Sequence, residues 1–181
     1  MTIKKTDFIS SFSATVSQSA SDNLTRSEQF ASQYEETKDT DVKRAQQRSA
    51  THAKYDSKLS ELSSDALAVC YTFKLNAESI VNQSRELKKR LMSALNAIAA
   101  TDKNKLDKAL LNALTVIVVN NAESISIDAL QRAMSHETNT QANYFKRFCL
   151  FLDVADYEKS TQTMTFKTDS ALYKRMIALF D

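Results

Sequence analysis

Hydrophobic positions fall mostly at helical spacing in this chain, and their density changes along its length. Residues 1–40 are sparse. Phe8, Ile9, Phe12 and Val16 form one stripe, and Leu24, Ser27, Phe30 and Tyr34 a thinner one, among Ser, Thr, Gln and acidic residues. So thin an apolar face stabilises little by itself, which predicts a sparse, partly ordered helical segment that either packs onto something else or stays partly disordered. Asp22 is a candidate helix cap, and 37–40 a candidate break. From His52 a 3-4 spacing picks out Tyr55, Leu59, Leu62, Ala66, Val69, Phe73, Asn76, Ile80, Gln83 and Leu87. A neighbouring stripe continues through Leu91, Leu95 and Ile98. Alternating steps of three and four make the seam of a coiled coil or of an antiparallel helical hairpin. With no strong breaker across 41–100, one helix of up to about 60 residues, roughly 90 Å long, is allowed. A break near Asn76 would give two helices folded on each other. The spacing favours the long or bent helix, with self-association through residues 52–98.

The polar stretch Ala100–Asn104 is the clearest boundary, and Thr101 or Asp102 can cap the next helix. The expected division is therefore 1–40, 41–100 and 101–181. In the last part, 105–121 reads as a helix ended by Asn120-Asn121, since Asn tolerates the left-handed conformation. Ser126 caps a short helix over 127–134, 135–138 reads as a turn, and a longer helix runs from Asn139 to about Asp153. Residues 155–158 read as a short strand, 159–162 as a polar turn, and 163–167 as a strand with period-two alternation. Asp169 caps a final helix. This order of helix, helix, turn, helix, hairpin, helix resembles a winged helix-turn-helix domain over about 75 residues. Wings usually turn on glycine, and this one has none.

The helix from Asn139 is the candidate interface. At 100° per residue, Asn139, Thr140, Asn143, Lys146 and Arg147 fall in one arc of about 120°. Tyr144, Phe145, Phe148, Cys149, Phe151 and Leu152 fill the opposite one. Asn and Arg can pair bidentately with adenine and guanine edges, while Lys and Thr can contact phosphate. The resemblance implies that these five residues face the major groove, and that Lys159 and Lys167 are wing contacts to the backbone. Polar faces of this kind are also common on ordinary surface helices, and winged helices also serve as protein-protein modules.

Composition narrows the chemistry. The chain has no glycine and no proline, where average usage would give about 20 of the two together. Glycine-dependent phosphate loops and the G-x-S-x-G nucleophile elbow are excluded, and every turn is expected to use Asn, Ser, Thr, Asp or His. The 24 basic and 22 acidic residues leave a net charge of +2, modest for a nucleic-acid binder. The basic groups at 85–90 and at Lys43, Arg44 and Arg48 read as solvated faces, with pairs such as Glu86 to Arg90, or as phosphate contacts. Cys70 and Cys149 read as buried, reduced thiols. Lys4 and Lys5 precede Asp7 and serines rather than an apolar run, so no secretory signal is expected. The apolar run 109–119 is too short to span a bilayer. His52 and His136 lie far apart and no zinc spacing occurs, so no catalytic, metal or cofactor site is expected.

The expectation is thus a mainly α protein: a long central coiled-coil-like helix or helical hairpin, then a small winged-helix-like domain with one β-hairpin. Functionally it is a non-enzymatic, cytoplasmic, homodimeric binder of duplex DNA, suited to regulating, replicating or partitioning a viral or mobile genome. The alternative is a helical structural protein, such as a viral or scaffold assembly component, whose C-terminal domain docks protein.

Overall fold

The computed structural model describes residues 3–134 and 139–181, with Asn139 described by its backbone alone. The protein is mainly α-helical with one small antiparallel sheet. It divides into two compact units, residues 1–88 and 89–181.

In the first unit, α1 (Lys5–Thr37) and α2 (Thr40–Ser60) form an antiparallel hairpin. This hairpin turns at 38–39 and so is not the one the spacing allowed within 41–100, with its break near Asn76. Helix α1 runs unbroken past Asp22, so that residue is no cap. Its thin stripe suffices because the interface is built from small side chains as well as apolar ones: Phe12, Val16 and Ser27 on α1 and Ser49, Ala53, Asp56 and Leu59 on α2 are buried. Ser27 Oγ donates to the Gln46 carbonyl at 3.2 Å, which satisfies both groups in the contact. Leu24, on the expected stripe, stays 53% exposed.

The single helix expected over 41–100 does not form. That stretch is carried by α2, α3 (Ser64–Thr72), α4 (Ala77–Val81) and α5 (Arg85–Ala100). Three polar residues interrupt the pattern by capping. Ser63 Oγ accepts from the Ala66 amide at 3.2 Å, Asn76 Oδ1 from Glu78 at 2.8 Å and Ser84 Oγ from Leu87 at 3.4 Å. Such side chains compete with the helix for backbone partners, and apolar periodicity does not register the competition. Leu59, Leu62, Ala66, Ile80, Leu87, Leu91, Leu95 and Ile98 of the presumed seam are buried within the chain itself. The boundary between the two compact units falls inside α5.

A chain without glycine must use other residues in the left-handed region. Lys38, Lys74, Thr101, Asn121, Asp153 and Gln162 have φ between 46° and 54°. Three of these, two lysines and a glutamine, lie outside the set expected for turns. Four of the six close helix ends alike, with the following amide donating five residues back: Leu75 to Cys70, Asp102 to Ala97, Ala122 to Ile117 and Val154 to Cys149, at 2.9–3.0 Å. These bonds satisfy carbonyls that a helix end otherwise orphans. Thr101 carries the largest penalty, being β-branched. Replacing it with Gly is expected to stabilise the protein by about 1 kcal/mol, the relief of left-handed strain less the added freedom of the unfolded chain. Thermal unfolding of Thr101→Gly checks this, and a lowered Tm would count against it.

At the centre of the first unit lies a buried polar network. Lys88 and Asp56 are both 0% exposed and form an ion pair. The other Asp56 oxygen accepts from Ser19 Oγ at 2.9 Å and Asn23 Nδ2 at 3.1 Å. Lys88 Nζ also lies 3.2 Å from His52 Nδ1. An ammonium only donates, so Nδ1 accepts and the imidazole proton resides on Nε2. Burial, then the Lys88 charge, hold the His52 pKa below its ordinary 6.5, with Asp56 opposing. Asp22 and Arg26 of α1 are the other charged groups lining the groove that His52 borders. The unfolded chain therefore takes up this proton first: the contribution to stability is complete above pH 6.5 and declines as pH falls toward the lower folded value. His52→Gln is expected to flatten the loss of urea midpoint between about pH 7 and pH 5. An unchanged pH profile would contradict this assignment.

Candidate nucleic-acid interface

In the second unit, α6 (Lys108–Val119) is capped by Asp107, whose Oδ1 accepts from the amides of Ala109 and Leu110. Asp102, one of the two expected caps, closes a 3-10 turn over Lys103–Lys105 instead. Then come β1 (Ser124–Ser126), α7 (Ile127–Ala133), α8 (Asn139–Phe151), β2 (Ala155–Glu158), β3 (Thr163–Phe166) and α9 (Ala171–Ile177). Ser126 caps α7 as expected, accepting from Ala129 at 3.1 Å. Ser170 rather than Asp169 caps α9. The turn expected at 135–138, with His136, lies outside the described residues.

The sheet order is β1-β3-β2, antiparallel throughout. The β2–β3 hairpin pairs Ala155 with Phe166 and Glu158 with Thr163 around a turn at 159–162. Glu158 Oε1 holds this turn by accepting from the Ser160 amide at 3.0 Å and hydroxyl at 2.7 Å. Gln162 supplies the positive φ. Along β3, Met164 and Phe166 are buried while Thr165 faces solvent, the alternation read from the sequence. Strand β1 has no counterpart in the sequence pattern. It is three residues long, too short for periodicity to show, and only its pairing with β3 (Ile125 opposite Met164) defines it.

Helix α8 turns one face inward. Ala142, Phe145, Phe148, Cys149 and Leu152 are buried, with Phe145 and Phe148 ring centroids 6.3 Å apart. Buried apolar surface of this kind supplies most of the drive to hold the helix in place. Cys149 and, in the first unit, Cys70 are buried free thiols whose pKa values burial pushes up, that of Cys70 to about 12. Neither is a thiolate at neutral pH.

The opposite face of α8 carries most of the expected site. Thr140 and Arg147 are exposed, and Asn143 and Lys146 half-exposed. The Asn139 side chain lies outside the described residues. Lys146 Nζ sits 4.2 Å from the Tyr157 ring centroid, so a cation–π contact joins α8 to β2. The polar face of α8 thereby meets the β2–β3 hairpin at Tyr157. Lys159 is exposed at the hairpin turn. Lys167 does not share its freedom: it donates to Asp153 at 2.6 Å and pairs with Asp156 at 3.2 Å. These hydrogen bonds, the one to Asp153 first, hold its pKa above the usual lysine value.

Sequence reading missed Arg90 and Tyr144. Of the basic residues at 85–90, Lys88 and Arg90 are buried rather than solvated. Arg90 donates to Gln141 Oε1 on α8, and its guanidinium lies 5.2 Å from the Tyr144 ring centroid; that of Arg147 lies 5.9 Å away. The signal was present: Arg90 falls three residues after Leu87 and four before Ala94, on the buried stripe of α5. Among the described residues, no helix is long and apolar enough to cross a membrane, and no three His, Cys, Asp or Glu side chains are placed to hold a metal ion. No protein-family model matches the chain, and neither a curated protein nor a solved structure does.

Proposed function

We propose that the second unit is a winged helix-turn-helix module that presents α8 to the major groove of duplex DNA, without enzymatic activity. The observation that carries this reading is the order helix, strand, helix, helix, hairpin closed by a β1-β3-β2 sheet, with the polar face of α8 beside the hairpin. Asn143 and Arg147 have the donor and acceptor patterns that read adenine and guanine edges. Thr140, Lys146 and Lys159 would contact phosphate and set register. Lys167 drops out of this set because two carboxylates already meet its charge. Titrating a labelled duplex at low salt tests the proposal: saturable binding is expected, and it should be lost when Asn143, Lys146 and Arg147 become Ala.

A second reading is a helical assembly protein whose C-terminal unit docks another protein. Val119 at the end of α6, 77% exposed, and Leu150 on α8, 40% exposed, favour it, since apolar groups left in water are what a protein partner would cover. Absence of duplex binding at low salt would leave this reading standing.

A further inference from the structure

A groove of about 780 Å³ opens in the first unit beside the buried Lys88–Asp56 pair. One wall is α1, carrying Gln18, Asp22 and Arg26 with Thr15, Ser19 and Asn23 beside them; His52 of α2 and Asn82 after α4 add polar groups from the other elements. The antiparallel pairing sets the levels. Ser27 reaches Gln46, and Ser19 and Asn23 reach Asp56, so His52 falls level with the turn of α1 running from Asp22 to Arg26.

The polar groups have unspent valences of both kinds. Lys88 occupies His52 Nδ1, which leaves Nε2–H as a donor. No carboxylate among the described residues pairs with Arg26, which lies exposed on the groove. Gln18 donates one amide proton to Asp22 at 2.8 Å and Asn82 one to the Glu78 carbonyl at 2.9 Å. Their carbonyl oxygens remain as acceptors. Asp22 keeps its second oxygen. The groove thus offers a cation and N–H donors next to a carboxylate and two amide carbonyls, and the charges of Arg26 and Asp22 balance.

We propose that this groove binds a small zwitterion of the amino-acid type, its carboxylate held by Arg26 and His52 Nε2–H and its ammonium by Asp22. A plain anion would meet the Asp22 carboxylate, and a plain cation the Arg26 guanidinium, whereas a zwitterion satisfies both. The buried Asp56–Lys88 pair then acts as a support that fixes the His52 tautomer.

The test uses the full chain and follows the His52 ring by NMR; the only other histidine is His136, so His52→Gln identifies the signal. L-alanine is titrated against its single-charge counterparts, propionate and ethylamine. Saturable movement of the His52 signals by L-alanine, with binding at least about tenfold weaker for each counterpart, is expected. Arg26→Gln and Asp22→Asn, both at exposed positions, should each abolish saturation while leaving the circular dichroism spectrum unchanged. Propionate matching L-alanine would make this a simple anion site and overturn the proposal. So would the absence of any saturable shift, or L-alanine binding that survives both substitutions.

Discussion

Replacing Asp56 with Ala is expected to destabilise the protein by about 3–5 kcal/mol, because it strands a buried charge. Lys88 and Asp56 are both fully buried. Burial already lowers the Lys88 pKa, against the hydrogen bond and charge of Asp56 that raise it. Without the carboxylate the ammonium keeps the His52 imidazole nitrogen, which accepts one proton of three. Nothing then offsets desolvation of the ammonium, so Lys88 must lose its proton or draw water inward. Replacing both partners by apolar residues of similar size, Asp56→Leu with Lys88→Met, should recover most of the loss, since the pair's cost and benefit nearly cancel. Urea unfolding followed by circular dichroism measures both variants. If Asp56→Ala shifts stability by less than about 1 kcal/mol, as for a solvated pair, the network is not buried in solution.

The second large effect is on binding. Substituting Asn143, Lys146 and Arg147 together by Ala is expected to weaken duplex affinity at least about a hundredfold, at about 1–3 kcal/mol for each base-reading contact. Lys146 alone should weaken all sequences alike, because a phosphate contact carries no sequence information. Arg147 alone should relax discrimination at one base pair. The three side chains lie on the partly or fully exposed face of α8 while Phe145 and Phe148 anchor the other, so the triple variant is expected to keep its circular dichroism spectrum alongside the lost affinity, with a modest fall in Tm from the lost Lys146–Tyr157 contact. Retained duplex affinity in the triple variant would move the contact surface elsewhere.

The C-terminal unit was more legible than the N-terminal one, for identifiable reasons. Strands β2 and β3 fall within a residue of where the alternation placed them, and Ser126 and Asn121 act as the cap and the left-handed stop that their chemistry suggests. Each of these signals is local: a cap, a turn or a two-residue period is contained in a few neighbouring positions. The 41–100 stretch failed because its 3-4 spacing is shared by one helix and by several. What separates them, the capping by Ser63, Asn76 and Ser84, is visible only once the backbone turns. The buried Lys88 and Arg90 were hidden by the same ambiguity. Charged residues are read as solvated unless a partner is in view, and their partners Asp56 and Gln141 lie 32 and 51 positions away in sequence. Likewise Lys167 looked available until Asp153 and Asp156 closed on it.

The most direct measurement for the whole account is the salt dependence of duplex binding by the full chain. With Lys146, Arg147 and Lys159 as the available cations on the α8 and hairpin surface, log K against log salt should fall with a slope of about −2 to −3. It should become shallower by about 1 in Lys146→Ala. A slope near zero, or no duplex binding at low salt, would contradict the assignment of this surface to DNA.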